Sequence, residues 1–267
     1  MRNAARRWTF RTAFASFFAL LAILSVSVAA ADASGQPTGI TEEAGKMHDL
    51  YLLVLAIAVV VFVAVEGALV FALIRYRKRD DIEPKQIHGN NVLEIIWTTI
   101  PVVIVLVLFV FSFVVLVDIE DDADPLDLTV EVQGFQYQWA FTYNLNDAGK
   151  GGNASATGTV EIIGTADKEP ELVIPIGEKV EFKLKSNDVI HSFYVRDFLY
   201  KLDVVPGRDN AFAVTANELG VFRGQCAELC GLNHALMRFT LKVVTRAEFD
   251  AFLAANTKPE KAAAAGR

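Results

Sequence analysis

The chain has few of the residues that usually bind metals and cofactors. Its 267 residues include two cysteines and four histidines. Two cysteines are too few for a zinc or iron–sulfur site built from four thiolates. The sequence also contains no C-x-x-C-H motif, which excludes covalent attachment of a c-type haem within it. Any metal chemistry must therefore depend on a small, mixed set of ligands.

Charged residues are also scarce. They make up 21% of the sequence, whereas 53% of the residues are hydrophobic. This composition is too apolar for an ordinary soluble domain and indicates membrane segments joined to one globular domain.

The first 31 residues are typical of an export signal. Arginines precede an apolar run, and three alanines at 29–31 offer a cleavage site. A retained membrane anchor is the alternative. Cleavage would remove four arginines and no acid, so the mature chain would be more acidic. Residues 32–49 are predicted to be an extracytoplasmic segment, and 32–46, which are small and polar, are predicted to be extended.

Two long apolar runs, at 50–74 and 92–117, are predicted to be transmembrane helices. The loop between them, 75–91, begins with R-Y-R-K-R, whereas only acids follow the second run. Basic loops stay in the cytoplasm, so both outer ends of the pair are expected outside. The basic run could also be a nucleic-acid patch. Its place beside a membrane helix argues against that, and no nucleic-acid partner is expected.

Two carboxylates belong to these predicted helices. Glu66 is the one charge in the first span; it makes a proton or partner contact, or it is hydrogen-bonded against a neighbouring subunit. Asn91 is predicted to cap the second helix, with Glu94 three residues later in the pattern of a capping box.

The pattern changes to alternating strands across 126–246. One stretch, G-F-Q-Y-Q-W-A-F-T-Y, is predicted to be a single strand with an aromatic face. Residues 171–186 are predicted to form two strands joined by a turn at 175–177. Residues 247–267 are expected to form a short helix and a disordered tail. The aromatic face would comprise Phe135, Tyr137, Trp139, Phe141 and Tyr143.

The richest set of metal ligands lies in one short loop. It holds Cys226, Cys230, His234 and Met237, and His191 lies upstream at a predicted strand end. Thiolates, imidazoles and a thioether are soft ligands that favour copper. The arrangement resembles that of copper sites on cupredoxin sandwiches, where one ligand comes from a strand end and the others from the loop joining the last two strands.

The second cysteine has a specific consequence. A mononuclear blue-copper site needs one cysteine, whereas C-x-x-x-C lets both sulfurs bridge two copper ions. Each ion then takes one histidine, Met237 completes one of them, and the backbone carbonyl of Glu228 can complete the other. A disulfide is the alternative for two cysteines in an exported domain, but it would not explain His191, His234 and Met237.

The loop C-A-E-L-C-G-L-N-H-A-L-M resembles the binuclear copper A loop of subunit II of haem–copper cytochrome c oxidases. G-N-N-V-L-E-I-I-W-T-T-I-P and the segment ending in P-G-R are similar to further motifs of that family. The resemblance covers about residues 49–244. It implies a two-helix transmembrane hairpin followed by an all-β, cupredoxin-like Greek-key sandwich.

The resemblance also implies roles for five residues. Glu94 would be the carboxylate at which protons enter a channel of the large subunit. Tyr137 stands where the family usually carries the tryptophan through which electrons enter. Asp188 would help to dock cytochrome c, and Arg208 would face the haem propionates of the large subunit. The Glu228 side chain would bind a magnesium ion shared with that subunit. Each residue also has a purely structural alternative. Glu94 would belong to the helix cap, Tyr137 would pack in the core, and Asp188, Arg208 and Glu228 would be solvated surface groups.

The partners implied are oxidase subunits I and III, cytochrome c and membrane lipid, with the sandwich on the outer face of a bacterial cell membrane. The chain has too few histidines for the centre where oxygen reacts, so that chemistry is expected in a partner. Two other functions stay open. One is a membrane-tethered copper chaperone or thiol–disulfide protein, and the other is a cupredoxin domain with only a structural role.

Overall fold

The computed structural model describes residues 36–77, 86, 88–120, 125–144, 158–165 and 167–257. The predicted signal at 1–31 and the tail at 258–267 lie outside these residues, as does most of the 75–91 loop. The chain forms two compact units, which are described in turn. One unit contains most of two long helices, and the other contains the β-sandwich with the outer ends of those helices.

The first helix, α1, spans Glu42–Arg75 and is long and apolar enough to cross a membrane. Its 34 residues correspond to about 51 Å, well beyond the ~30 Å of hydrocarbon in a bilayer. The helix therefore contains the predicted span at 50–74 and continues on its outer side. Residues 42–46, which were expected to be extended, form its first turns, so that part of the prediction is wrong.

The second helix, α2, spans Asn91–Ile119 and is also long and apolar enough to cross a membrane. Its cap is Asn90, whose side-chain oxygen accepts hydrogen bonds from the backbone N–H groups of Val92 and Leu93 at 3.1 and 3.2 Å. The prediction that Asn91 caps this helix is wrong by one residue. Glu94 consequently follows the cap by four residues and does not complete a capping box.

The segment before α1 belongs to the sandwich and is not a loose surface segment. Ile40 and Thr41 are buried. The Ile40 N–H donates to the carbonyl of Asp197 at 2.9 Å, and its own carbonyl accepts from Asn217 at 2.9 Å. The Thr41 hydroxyl accepts from the N–H of Ala44 at 3.0 Å. The one large apolar residue of this stretch thus adds to the core while Thr41 caps the helix.

Within the described residues, ten strands form two five-stranded sheets, which confirms the predicted combination of two helices and a β-sandwich. No α-helix separates these strands in the described part of the chain. The first sheet has the order β3-β2-β1-β5-β8, and the second has the order β4-β10-β9-β6-β7. The strands are β1 (Leu128–Phe135), β2 (Gln138–Asn144), β3 (Thr159–Ile163), β4 (Glu171–Pro175), β5 (Lys179–Ser186), β6 (His191–Val195), β7 (Tyr200–Val204), β8 (Asn210–Thr215), β9 (Gly220–Cys226) and β10 (Arg238–Val244).

The predicted strand–turn–strand at 171–186 is present, but its two strands lie in different sheets. β4 pairs in parallel with β10, whereas β5 pairs in parallel with β1. The turn after Pro175 therefore carries the chain from one sheet to the other.

The predicted aromatic strand is broken into a hairpin. β1 ends at Phe135, and β2 begins at Gln138, which pairs with Phe135. Gln136 and Tyr137 form the turn, so Phe135 and Tyr137 do not share a strand face with the other aromatics. Trp139, Phe141 and Tyr143 do follow the period of two and are completely buried. The sequence does not reveal this turn because aromatic residues continue at every second position through it, from β1 into β2.

Aromatic rings fill the space between the sheets. The ring of Phe239 on β10 lies 4.9 Å from that of Phe193, 5.3 Å from that of Phe141 and 5.7 Å from that of Trp139. Phe239 sits directly over Gly224 of the neighbouring strand β9. This aromatic core therefore packs against β9 and β10, the two strands that flank the predicted metal loop.

A C-terminal helix, α3, spans Arg246–Asn256, which confirms the short helix predicted there. Thr245 and Glu248 form a capping box at its start. Phe249 and Leu253 are buried, and the ring of Phe249 lies 6.0 Å from that of Tyr143.

Replacing Gly224 with alanine should destabilise the sandwich. The added methyl group would overlap the Phe239 ring, which is held between other aromatics and cannot move away cheaply. We expect the free energy of unfolding to fall by about 2 kcal/mol, measured as an earlier loss of near-ultraviolet circular dichroism when the detergent-solubilised chain is heated.

The matched control is Gly45→Ala in α1. Nothing lies within 4 Å of a methyl group at Gly45, and alanine favours a helix. Equal melting of Gly224→Ala and the wild type would contradict this description of the core.

Candidate metal site

The predicted metal-binding residues come from two neighbouring strands of one sheet and the loop that follows. His191 is the first residue of β6, and Cys226 is the last residue of β9. These strands are antiparallel, with Phe193 opposite Cys226, so the pairing brings His191 beside Cys226. Residues 227–237 then form the loop that returns to β10. The expected layout of a strand end facing the last loop is present.

Cys226 lies at one side of the site. Its Sγ atom is 3.2 Å from the backbone carbonyl oxygen of Glu228 and 3.9 Å from Nδ1 of His191. It is also 3.9 Å from Sγ of Cys230. The ligand atoms of His191, Cys226 and Cys230 all lie within 4.8 Å of one another.

Cys230 is surrounded by the remaining two side chains. Its Sγ atom is 3.6 Å from Nδ1 of His234 and 3.8 Å from Sδ of Met237. His234 begins a short 3₁₀ turn, and Met237 follows that turn directly. All six predicted donors therefore converge, although the sequence places His191 far from the others.

The site is shielded from water. His191 and Met237 are completely buried, and each cysteine is 4% exposed. His234 is partly exposed. Sulfur and nitrogen donors gathered in an enclosed space suit a soft metal ion better than a small-molecule substrate.

The two sulfur atoms are not bonded to each other. Their separation of 3.9 Å is far longer than the ~2.05 Å of a disulfide, and both cysteines are free. Because a metal–thiolate bond is about 2.3 Å, a single ion can contact both sulfurs at this separation. The geometry and the softness of the donors thus fit copper bridged by two thiolates.

The two thiols differ in acidity. Burial raises the pKa of Cys226, but hydrogen-bonding contacts with His191 and with the backbone of Glu228 and Ser192 outweigh burial, and the pKa falls below its ordinary value. Burial and the nearby charge of Cys226 both raise the pKa of Cys230. Cys226 is therefore the thiol that loses its proton first.

Asp188 has a position that sequence reasoning did not foresee. Its Oδ1 atom is 2.8 Å from Nε2 of His191. Burial raises the pKa of Asp188, but hydrogen bonds from His191 and from backbone N–H groups lower it below the usual value. An ionised carboxylate only accepts hydrogen bonds, so Nε2 donates to Asp188. When the ring is neutral, Nδ1 therefore carries the lone pair, which faces Cys226. An acid three residues before the histidine was the available signal.

The hairpin turn between β1 and β2 also contacts the site. The Gln136 backbone N–H donates to Oδ2 of Asp188 at 2.6 Å, and its side-chain amide donates to the carbonyl of Cys230 at 2.8 Å. The hydroxyl of Tyr137 accepts a hydrogen bond from the N–H of Leu232 at 3.3 Å. In the sequence, Gln136 lies within a stretch predicted to be a single strand, and its contacts could not be foreseen because they depend on the turn.

The other predicted residues lie outside this cluster. Arg208 is exposed in the turn between β7 and β8, where its N–H donates to the carbonyl of Val205 at 3.2 Å. The Glu228 side chain is partly exposed. Glu94 is exposed near the start of α2, in the other unit.

Two family models match the chain. The periplasmic domain of cytochrome c oxidase subunit II matches residues 128–244, and its transmembrane domain matches residues 31–115. The first covers the sandwich and the second covers both long helices. The chain is accordingly a membrane protein with two spanning helices and an outer-face domain.

Curated relatives have the same description. A probable cytochrome c oxidase subunit 2 of Rickettsia bellii is 37% identical over 221 residues, which covers 82% of this chain and 81% of that protein. One from Streptomyces avermitilis is 38% identical over 239 residues, which covers 79% and 75%. Cytochrome c oxidase subunit 2 of Alkalihalophilus pseudofirmus is 34% identical over 209 residues, which covers 78% of this chain and 57% of that protein.

Among solved structures, the periplasmic domain of subunit II of cytochrome oxidase from Bradyrhizobium japonicum is 30% identical. The match covers 50% of this chain and 95% of the solved domain, with a TM-score of 0.42. The two family models together match most of the chain, and the curated relatives match it over most of its length, which is sufficient to assign the family. This chain belongs to the family of subunit II of cytochrome c oxidase.

Proposed function

We propose that this chain is the subunit through which electrons enter a respiratory terminal oxidase. When bound, a binuclear copper A centre would accept electrons from cytochrome c and pass them to haem in the large subunit, where oxygen is reduced to water coupled to proton pumping. The observation that carries this proposal is the convergence of His191, Cys226 and Cys230 within 4.8 Å in the buried end of the sandwich.

The chain's own residues would hold two copper ions as follows. Cys226 and Cys230 would both bridge the ions, and His191 and His234 would each bind one. Met237 and the backbone carbonyl of Glu228 would supply the remaining, weaker ligands. The short distances between these atoms support this assignment.

The surroundings favour electron transfer because they resist rearrangement. His191 is held by a carboxylate that is itself hydrogen-bonded to Ser186, Gln136 and Val189. Such outer partners fix the orientation of a ligating histidine. A ligand set that keeps its positions costs little reorganisation when the charge of the site changes.

Five residues would also serve the partners, which are subunits I and III, cytochrome c and lipid. The Glu228 carboxylate would bind magnesium shared with subunit I, because carboxylates suit hard cations. Arg208 would approach the haem propionates, and Glu94 would admit protons. Tyr137 would pass electrons inward, and Asp188 would contribute to docking. These five roles follow from the family resemblance.

The first prediction concerns copper content. The purified full-length chain, loaded with copper and desalted, should retain two copper ions. Cys226→Ser and Cys230→Ser should each abolish the binuclear centre because both ions share each sulfur. His191→Asn should also lose copper. Elemental analysis against protein concentration measures the ratio.

The matched control for the histidine variant is His88→Asn. His88 lies before α2 and is exposed, so its variant should keep both ions. Retention of two copper ions by Cys226→Ser would rule out the shared-sulfur site. Equal copper loss in the two histidine variants would show that the loss is not specific.

The second prediction concerns Asp188. Asp188→Asn removes the charged acceptor that orients His191, so copper affinity should fall by about 10- to 100-fold. Asp203→Asn is the control, since the Asp203 side chain is 44% exposed and pairs with Lys201 at 3.4 Å. Competition with a copper chelator measures the affinity.

The same pair of variants separates orientation from docking. A docking role for Asp188 would change the salt dependence of electron transfer from cytochrome c in the assembled oxidase. If Asp188→Asn changed only that dependence and left copper affinity at the level of Asp203→Asn, the orienting role would be excluded.

A further inference from the structure

The copper-binding loop has few hydrogen bonds to the rest of the sandwich. Its end residues are tied to the strands, as in the bond from Ala227 N–H to the Ser192 carbonyl at 3.0 Å. Within the loop, Leu236 and Met237 bond back to Asn233 and His234. The middle of the loop is largely exposed: Leu229 is 78% and Leu232 is 93% exposed.

Two bonds anchor this middle section. For residues 229–233, the backbone hydrogen bonds to strands or turns outside the loop, in the described structure, come from the hairpin turn at 136–137. They are the 2.8 Å bond from the Gln136 amide to the Cys230 carbonyl and the 3.3 Å bond from Leu232 N–H to the Tyr137 hydroxyl. They bracket Gly231 from both sides.

The Tyr137 ring lies close against this glycine. A methyl group on Gly231 would be 2.6 Å from the Tyr137 hydroxyl oxygen, and Gly231 has a φ of +132°. The loop can therefore approach the phenol only because a glycine stands there. This close approach brings the hydroxyl within reach of the next backbone N–H.

We propose that Tyr137 is a positioning residue whose hydroxyl pins the loop between Cys230 and His234 in the geometry that receives metal. This role is separate from any part the ring plays in electron transfer. Its consequence for copper rests on the proposed function, whereas the pinning itself does not.

The chemistry requires an acceptor at the tip of the ring. Leu232 offers a backbone N–H, and a phenol oxygen can accept it. An indole N–H only donates, so the tryptophan that the family usually carries here could not make this bond. Phenylalanine would keep the ring and lose the acceptor. Tyrosine at this position is thus a distinct solution for holding the loop.

The test uses the full-length chain in detergent, prepared without copper. Tyr137→Phe and Tyr137→Trp both remove the acceptor. We expect the Leu232 amide to exchange with deuterium faster, and Cys230 to be alkylated by iodoacetamide faster, by about fivefold, as for loss of one neutral hydrogen bond. Mass spectrometry of the loop peptide gives both rates.

The matched control is Tyr200→Phe, which removes a hydroxyl elsewhere in the sandwich. The Tyr200 ring lies 5.0 Å from that of Phe212, and that contact is kept by phenylalanine. Its loop rates should equal those of the wild type, and all three variants should melt at similar temperatures.

The outcomes are decisive for this role. Unchanged loop rates in Tyr137→Phe, or a change of the same size in Tyr200→Phe, would overturn it. Faster rates in Tyr137→Phe but not in Tyr137→Trp would also overturn it, because they would assign the effect to ring packing.

Copper retention is then measured on the same variants, and faster release to a chelator is expected from both Tyr137 variants. If the wild-type chain binds no copper while the exchange and alkylation rates still respond, the proposed function fails and the positioning role stands.

Discussion

The pairing of β6 with β9 is the interaction on which the site depends. It sets Phe193 opposite Cys226 and so places His191, at the start of β6, 3.9 Å from the Cys226 sulfur. No local feature of the chain could hold an imidazole beside a thiol 35 residues later. The aromatic core beneath these strands, centred on Phe239, keeps that register because any slip would move buried rings to the opposite face.

Around this pairing, polar groups provide the finer positioning. Asp188 fixes the tautomer of His191, and the turn at 136–137 reaches both Asp188 and the loop. One short turn therefore contacts both segments that carry the donors. A site organised in this way needs little movement when it gains or loses charge.

The sequence predicted what depends on local pattern. The metal donors could be identified because soft ligands at this spacing have few other uses. The two helices could be identified because long apolar runs usually form transmembrane helices. Contacts that depend on the third dimension were missed. The bond from Asp188 to His191, the break in the aromatic stripe at Gln136 and the choice of Asn90 as cap all depend on where the chain turns. The burial of Ile40 beside Asn217 is a long-range contact that no local pattern signals.

Because residues 38–48 are part of the outer unit, a fragment beginning near residue 126 would lack part of its core. The most direct measurement is therefore electron paramagnetic resonance of the full-length chain loaded with copper. The account predicts hyperfine structure shared over two copper nuclei, lost in Cys226→Ser. A spectrum from a single copper ion in the wild-type chain, or no copper retained with both cysteines oxidised, would contradict it.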